Sequence, residues 1–213
     1  MPIKTVICCN EESKRELLSH SILESNTKFV QMIEEGLKYT DSRVIIDLSF
    51  ECEPARIELL RRSGKTVVVN SVVETLKEID PSFSRINGWP GFLISPVIEI
   101  AGTEGNARHE VMAAFSVLNK KLEWLPDEAG LISAKVISTI INEAYFALSE
   151  GVSSREDINV AMKLGTAYPF GPFEWATRIG LRRIAALLLK LSNSNPRYQP
   201  SELLLKEALG RIN

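Results

Sequence analysis

The 213-residue sequence has few of the side chains that most often move protons or bind metals, since it contains only two histidines and three cysteines. The cysteines, Cys8, Cys9 and Cys52, give no disulfide framework. No further cysteine or histidine lies near them at ligand spacing, so we expect no metal site. Cys8 and Cys9 are instead expected to face opposite sides of a buried strand.

The sequence also lacks an excess of one charge and any long apolar run. Its formal net charge is −2, whereas nucleic-acid-binding proteins usually show a strong basic excess. No apolar run approaches the ~18 residues of a membrane span, and we expect no signal peptide at the start of the chain. We therefore expect no nucleic-acid and no membrane partner, and a cytoplasmic protein with reduced thiols. The pairs Arg61-Arg62 and Arg182-Arg183 are expected on solvated helix faces.

Strand-like and helix-like segments alternate over the first hundred residues. Nearly continuous apolar runs, of the kind buried in parallel sheets, cover four segments: 3–9, 42–50, 65–71 and 93–102. Amphipathic patterns with helical spacing lie between the first three runs, at 11–22, 28–40 and 53–63. This alternation predicts an α/β domain with a parallel, doubly wound sheet over residues 1–102.

After Gly102 the pattern becomes helical. Residues 103–126 are predicted to form a helical linker segment, and residues 127–213 an all-helical domain. Ser154, followed three residues later by Asp157, is typical of a helix start. Several helices are apolar over much of their circumference, which predicts a homodimer through the helical domain, with burial against the chain's own N-terminal half as the alternative.

One stretch resembles a known family. "NEAYFALSEGVSSREDINVAMKLGTAYPFGPFEWATRIGL", residues 142–181, is similar to the C-terminal domain of the 3-hydroxyacyl-CoA dehydrogenases, with that family's N-E-A, G-P-F and I-G-L motifs. A weaker likeness extends back to about residue 40. In the G-P-F segment the resemblance implies a turn that begins a helix, with Pro172 in the first turn and Phe170, Phe173 and Trp175 as packing residues.

The resemblance implies a shortened Rossmann-like sheet domain followed by an all-α dimerisation domain, and a role in fatty acid metabolism. The family oxidises 3-hydroxyacyl-CoA with NAD, using a histidine that a glutamate supports. Glu99 matches the glutamate, but Asn87 stands where the histidine belongs, and asparagine cannot act as a base near neutral pH. His20 and His109 lie elsewhere, in helices that we expect at surfaces or helix contacts.

Other positions that the resemblance assigns to the substrate also differ from the family pattern. Asn70 and Ser71 match its N-T pair, and the polar residue that follows in the family is Val72. At the start of the helical domain, Ala134 and Lys135 stand in place of asparagine and arginine. Thr177 replaces the aspartate before I-G-L. Basic residues at 56–65 could meet a CoA phosphate, although a solvated helix face is the preferred interpretation.

The NAD-binding turn of the family has no counterpart after the first apolar run. The chain continues from Asn10 as "NEESKRE", without the glycines that let a pyrophosphate approach the backbone. Glu11 and Glu12 would face its phosphates, and at roughly 5 Å each such pair costs about 3 kcal/mol before screening. Relative to the family, the resemblance implies that at least one βα unit is missing or compressed. NAD is therefore the cofactor by resemblance, but its normal binding is not expected.

Three hypotheses follow, and whether the chain is an enzyme stays open among them. It could be a degenerate 3-hydroxyacyl-CoA dehydrogenase relative, a pseudoenzyme that still binds acyl-CoA or a partner protein. It could be an active oxidoreductase in which Glu99 is the base and Asn87 binds a substrate carbonyl. It could also be a dimeric assembly subunit without a small ligand.

Overall fold

The computed structural model describes residues 4–19, 26–102 and 105–210. The chain divides into two compact units, Met1–Leu131 and Ile132–Asn213. The first unit contains a seven-stranded sheet with helices, and the described part of the second contains helices alone. The predicted class, a parallel-sheet domain followed by a helical one, is confirmed.

The sheet has the strand order β2-β1-β3-β4-β5-β6-β7. Its strands are β1 (Thr5–Cys8), β2 (Thr27–Val30), β3 (Val44–Asp47), β4 (Thr66–Asn70), β5 (Ser84–Ile86), β6 (Val97–Ala101) and β7 (Lys121–Trp124). All neighbouring strands pair in parallel except β5 and β6, which are antiparallel. The direction of the sheet therefore reverses after β5.

Among the residues that the structure describes, four α-helices accompany the sheet and five α-helices lie in the second unit. The helices of the first unit are α1 (Glu11–Leu17), α2 (Ile33–Leu37), α3 (Pro54–Arg62) and α4 (Asn106–Val117). Those of the second unit are α5 (Ser133–Ser149), α6 (Arg155–Thr166), α7 (Pro172–Ile179), α8 (Leu181–Ser192) and α9 (Glu202–Ala208), with a short 3-10 helix at Pro196–Tyr198.

Two apolar clusters lie in the described part of the first unit, and residues of the same strands alternate between them. One cluster contains Ile7, Ile46 and Val68 together with Leu17 of α1 and Phe115 of α4. The other contains Val6, Ile45 and Val69 together with Ile33 of α2 and Leu60 of α3. Cys8 belongs to the second cluster and Cys9 to the first, which confirms that they face opposite sides.

Three strands differ from the sequence prediction. Thr27–Val30 is a strand, so the helical pattern assigned to 28–40 is wrong over its first residues, and α2 covers only Ile33–Leu37. Ser84–Ile86 lay in no predicted element. Lys121–Trp124 pairs with β6 as the last strand, so residues 103–126 are not purely helical. Short strands and strands at a sheet edge lack the continuous apolar run of a central strand.

The sheet has one strand beyond β1 in the part of the chain that the structure describes. In the common Rossmann order 3-2-1-4-5-6, two strands lie on that side. Here only β2 does, in register from Thr5 opposite Thr27 to Cys8 opposite Val30. The sheet is therefore shortened at this side.

In the second unit, the turn before α7 is built for close helix packing. A Cβ on Gly171 would lie 2.6 Å from the Cα of Asn159, so glycine allows α6 and α7 to approach. Pro172 is the first residue of α7, and Glu174 accepts a hydrogen bond from the Gly171 N–H at 2.8 Å. Phe173 contacts Tyr145 edge-on, with ring centres 5.1 Å apart. These contacts agree with the packing role expected for the G-P-F segment.

Candidate functional site

In open α/β sheets, ligands bind outside the carboxyl ends of the strands, at the point where the strand order reverses. Here that point lies between β1 and β3, because β2 follows on one side and β4 on the other. The chain leaves this edge at Cys8, Asp47 and Asn70, the last residues of β1, β3 and β4. The residues around this edge form the candidate site.

The turn from β1 into α1 does not fit a dinucleotide. The Asn10 side chain accepts a hydrogen bond from the Ser13 N–H at 2.8 Å and so caps the helix itself. Glu11 and Glu12 occupy the first turn, and α1 is seven residues long. A capped, acidic and short helix offers little to a diphosphate. The residues present therefore disagree with the NAD site that the family resemblance implies.

An internal ion pair lies at the reversal point. Asp47 is fully buried, and Arg56 of α3 donates to its carboxylate from Nε at 2.8 Å. The same guanidinium lies 3.9 Å from Cys8 Sγ and 3.9 Å from the Glu34 carboxylate. Burial raises the pKa of Asp47, and the hydrogen bond from Arg56 offsets part of that rise. The positive charge of Arg56 is therefore already paired with carboxylates of the same chain.

The two thiols at the carboxyl end of β1 are poor nucleophiles. Burial raises the pKa of Cys8 to about 12. Burial likewise raises the pKa of Cys9 to about 11. Both side chains therefore stay protonated near neutral pH, and the thiolate is the reactive form.

Asn70 and Ser71 are occupied by contacts within the protein. The Asn70 amide donates to the carbonyls of Leu48 at 3.2 Å and Gly88 at 3.3 Å, and it accepts from the Gly88 N–H at 2.9 Å. Ser71 is buried, and its hydroxyl donates to the Glu74 carbonyl at 3.0 Å. Both side chains hold loops at this edge of the sheet, so the substrate role assigned to them by resemblance stays a prediction.

Asn87 and Glu99 lie opposite each other. Ile86 pairs with Ile100, and the Asn87 N–H donates to the Glu99 carbonyl at 3.3 Å, which continues the antiparallel register. Asn87 is 3% exposed and Glu99 is half-buried. The Asn87 Oδ1 accepts from the Trp89 N–H at 3.3 Å, which fixes the amide. Its Nδ2 is buried, and no described residue accepts a hydrogen bond from it.

The loop after Asn87 is held by buried charged side chains that the sequence did not reveal. Glu16 of α1 accepts from the Gly91 N–H with both carboxylate oxygens, at 2.8 and 2.9 Å. Lys120, 4% exposed, donates from Nζ to three loop carbonyls, those of Leu93, Ile94 and Ser95. Burial lowers the pKa of Lys120. The partners of these charged groups lie 25 or more residues away in the sequence, so no local sequence pattern indicates these contacts.

Arg85 of β5 is a second side chain that sequence reasoning missed. It is fully buried, and its Nε donates to Asp127 at 2.5 Å. Its remaining nitrogens donate to the carbonyls of Ser71 at 3.1 Å and Glu128 at 2.5 Å. Asp127 also accepts from the Leu76 N–H at 2.8 Å. This arginine connects three chain segments of the first unit.

The other predicted positions have contacts within the first unit or belong to the second unit. Val72 is buried, and its carbonyl accepts from the Gly130 N–H at 2.7 Å. Ala134 and Lys135 lie in the first turn of α5, in the second unit, and Ala134 is fully buried. Thr177 donates to the Phe173 carbonyl at 3.0 Å. His109 is exposed on α4, as expected, whereas His20 lies outside the described residues.

The basic residues at 56–65 are engaged with groups of the chain. Arg61 donates to Asp80 at 2.6 Å and to Glu58 at 2.7 Å. Arg62 donates to Glu58 at 2.6 Å. Lys65 donates to the carbonyls of Tyr39, Thr40 and Ser42. No CoA phosphate contact is therefore assigned to them.

Two surface cavities are lined by residues other than those of the candidate site. One of about 630 Å³ lies at the opposite edge of the sheet, lined by Lys4, Asn26, Arg43, Glu110 and Val117 among others. One of about 430 Å³ lies in the second unit between α6, α7 and the Tyr145 and Glu207 side chains. The described residues contain no group of three or more metal-ligating side chains, and no helix among them is long and apolar enough to cross a membrane.

Comparison with known proteins identifies the class. Residues 130–209 match the model of the 3-hydroxyacyl-CoA dehydrogenase C-terminal domain. The chain belongs to the 3-hydroxyacyl-CoA dehydrogenase family, to which this domain and the relatives below assign it.

Two curated relatives illustrate the likeness. A 3-hydroxyadipyl-CoA dehydrogenase of Escherichia coli is 41% identical over 118 residues, which are 53% of this chain and 25% of that protein. The mitochondrial hydroxyacyl-coenzyme A dehydrogenase of Homo sapiens is 36% identical over 192 residues, 87% of this chain and 60% of that protein. The chain thus spans less than two thirds of the length of either.

A solved structure matches the fold over nearly the whole chain. The (S)-3-hydroxybutyryl-CoA dehydrogenase from Ralstonia eutropha superposes with a TM-score of 0.75, covering 99% of this chain and 94% of that one. The sequence identity is 16%, so this likeness supports the fold alone.

Proposed function

We propose that the chain is a 3-hydroxyacyl-CoA dehydrogenase relative that binds acyl-CoA but does not transfer hydride by the family mechanism. The observation that carries the proposal is the asparagine opposite Glu99. An amide has no basic lone pair near neutral pH, so Asn87 cannot take the proton of a hydroxyl group. Loss of a general base typically removes ~10²–10⁴ in rate.

The turn after β1 supports the same proposal independently. Asn10 caps α1, two glutamates fill its first turn, and Arg56 at the reversal point is paired with Asp47. Each feature weakens the attraction of this crevice for a diphosphate. Without bound NAD there is no hydride acceptor, whatever residue serves as base.

Retained acyl-CoA binding is proposed from the second unit, where the family match is continuous. Residues 130–209 match the family's C-terminal domain, and helix-packing motifs such as the turn at Gly171 are intact. If the chain bound none of the family's ligands, ligand binding would not help to keep its family motifs. We therefore expect that acyl-CoA is the family ligand that this chain still binds.

The first experiment combines two binding assays and one rate assay on purified protein. Calorimetry with NAD is expected to show no heat of binding, calorimetry with acetoacetyl-CoA is expected to show binding, and NADH is not consumed in the presence of acetoacetyl-CoA. Rapid NADH consumption would establish the alternative, an active oxidoreductase with Glu99 as base. Absence of binding to either ligand would favour an assembly subunit.

A restoration variant separates the two proposed losses. Asn87→His returns an imidazole to the position opposite Glu99 but leaves the β1–α1 turn unchanged. We expect no NADH consumption by this variant, because the cofactor site is also unsuited. Turnover by Asn87→His would show that NAD binds and that the missing base alone limits the wild-type protein.

We also propose that the protein is a homodimer through its second unit. In the described part of the chain, seven of the eleven exposed large hydrophobic residues lie there, namely Ile132, Val136, Val152, Val160, Leu164, Leu189 and Leu209. Light scattering should give a dimer mass. Leu164→Glu, at a side chain 83% exposed, is expected to weaken the dimer, whereas Met112→Glu on α4 is not. A monomer at high concentration would contradict the proposal.

A further inference from the structure

We propose that the larger cavity of the first unit binds a small carboxylate with an apolar chain, such as a short fatty acid. This cavity of about 630 Å³ lies at the amino edge of the sheet, where β1, β2 and β3 begin. Its volume is that of a ligand pocket, which usually measures roughly 300–1,000 Å³. The described residues that line it do not include those of the candidate site at the carboxyl edge. Binding there is therefore independent of the acyl-CoA binding proposed above.

Part of the cavity lining is apolar. Val44 of β3 and Ala114 of α4 are buried members of the apolar cluster that contains Ile7. Val117 of α4 is half-buried and lines the cavity with them. A hydrocarbon chain placed against these side chains leaves water, which is favourable. The apolar part of the ligand is therefore expected to lie against β3 and α4.

A buried threonine hydroxyl lies on the same face of the sheet. Thr5 and Ile7 are two residues apart in β1, so their side chains share the face on which α4 packs. Thr5 is 5% exposed and lines the cavity, and no residue in the described ranges forms a hydrogen bond with its side chain. A buried polar group without a partner is unfavourable, and native proteins keep few of them. A carboxylate oxygen of the ligand would accept the hydrogen bond that this hydroxyl can donate.

One cation beside the cavity has no carboxylate partner in the described part of the chain. Glu110 accepts a hydrogen bond from the Thr66 hydroxyl at 2.6 Å, and its other carboxylate oxygen lies 3.8 Å from Arg43. Lys4 also lines the cavity, is exposed, and forms no ion pair with a described residue. It is therefore the cation available to an anionic ligand. Because the exposed carboxylate of Asp41 lines the same cavity, the attraction of Lys4 for that ligand is expected to be modest.

An NMR titration of the purified protein with hexanoate tests the site. The wild type is expected to bind with a Kd on the order of 1 mM, with the largest shifts in amides of α4 and of the first residues of β1 and β3. Ala113 is exposed on α4 and lines the cavity, so Ala113→Trp should fill the cavity and weaken binding about tenfold. Met112→Trp is the matched control, since Met112 is 50% exposed on the same helix but does not line the cavity.

Two further variants and an uncharged analogue measure the polar contacts. Thr5→Val keeps the shape of the side chain without its hydroxyl and should weaken hexanoate binding about tenfold. Lys4→Gln should weaken it about threefold, because exposed ion pairs contribute little. Lys38→Gln should leave it unchanged, since Lys38 is an exposed lysine of the first unit that does not line the cavity. The wild type should bind 1-hexanol about tenfold more weakly than hexanoate, because the alcohol carries no charge.

Thermal unfolding of each variant separates a binding effect from a folding effect. Thr5→Val removes a hydroxyl that has no described partner and should unfold no earlier than the wild type, so its loss of affinity reports on the ligand. Unchanged hexanoate affinity in Ala113→Trp and Thr5→Val would overturn the proposed site. Absence of saturable binding by the wild type up to about 10 mM would also overturn it. Equal affinity for 1-hexanol would show that the ligand is not a carboxylate. Each of these results leaves the proposed function standing, because acetoacetyl-CoA binding is measured separately.

Discussion

The two units differ in what their recognisable residues do. In the second unit, the side chains and glycines that mark the family pack and cap helices, as Gly171 and Ser154 show. In the first unit, the sheet is kept, but the side chains at its carboxyl edge mostly bond to the protein itself, as Asp47 and Asn70 show. A family can therefore be identified from one region while the chemistry depends on another.

In the second unit the family motifs serve helix packing, and in the first unit the polar side chains at the carboxyl edge of the sheet serve internal contacts. If that is right, substitutions at the edge of the first unit should cost stability, as core substitutions do. Substitutions of family motifs in the second unit should cost stability without revealing a catalytic role.

The largest loss of stability is expected from Arg56→Met in the first unit. This change leaves the buried Asp47 carboxylate without its cation, and removing one partner of a buried pair typically costs about 3 kcal/mol or more. Urea unfolding at neutral pH measures the loss. The double variant Asp47→Asn with Arg56→Met removes both charges and should recover most of it.

The same variant has a predicted pH dependence. Burial raises the pKa of folded Asp47 above its ordinary value of 3.8, so the folded state binds this proton more tightly than the unfolded state. The stability from this group is present below about 3.8 and is lost as pH rises through the folded pKa. Without Arg56 the folded pKa should rise further, so the deficit of Arg56→Met should shrink on acidification. A deficit independent of pH would contradict this account.

The second-largest loss of stability is expected from Gly171→Ala in the second unit. The added Cβ would lie 2.6 Å from the Cα of Asn159, and backbone cannot move aside as a side chain can. We expect a loss of about 2 kcal/mol in chemical unfolding. Gly165→Ala is the matched control, because nothing lies within 4 Å of its Cβ and it sits inside α6. That control should gain about 0.5–1 kcal/mol.

A smaller loss is expected from Asn142→Leu, at the asparagine of the N-E-A motif. Its amide donates to the Gln199 carbonyl and accepts from the Ser201 N–H, both at 2.9 Å. Leucine would leave these two backbone groups unsatisfied, at a cost of about 1.5 kcal/mol. Asn193→Ala on the surface should change little. Unchanged stability of Asn142→Leu would reopen a functional role for the motif.

The smallest effects are expected from the two helix caps. Ser154 accepts from the Asp157 N–H at 3.1 Å and Asn10 from the Ser13 N–H at 2.8 Å. Replacement of either by alanine should cost about 1 kcal/mol. Asn10→Ala should also leave NAD titrations unchanged. A change in NAD binding without a change in stability would mean that Asn10 belongs to a nucleotide site after all.

Central strands could be read from the sequence because they are buried on both faces. β1, β3 and β4 appear as nearly continuous apolar runs, as parallel strands require. β5 could not be predicted in this way, because Arg85 lies in its middle. The carboxylate that pairs with Arg85 belongs to Asp127, 42 residues further along the chain. β2 and β7 are short strands at the two sides of the sheet, and their residues are mostly half-buried or exposed.

The candidate site was only partly accessible to the same reasoning. The family motif located Asn87 and Glu99, and the structure brings them opposite each other. The sequence shows no local pattern for the Asp47–Arg56 pair or for the hydrogen bonds of Lys120 to the loop carbonyls, because the groups involved meet only in the folded chain. The hydrogen bond between Asn70 and Gly88 likewise depends on the close approach of two segments that are distant in sequence.

The loop from Asn87 to Pro96 has a consequence for the internal motions of the first unit. Its Gly88 and Gly91 amides are held by Asn70 and Glu16, and its later carbonyls by Lys120. A segment without regular structure would ordinarily open first and exchange its amide hydrogens quickly. These two glycine amides should instead exchange as slowly as those of β4, so that the loop and the sheet unfold as one cooperative body.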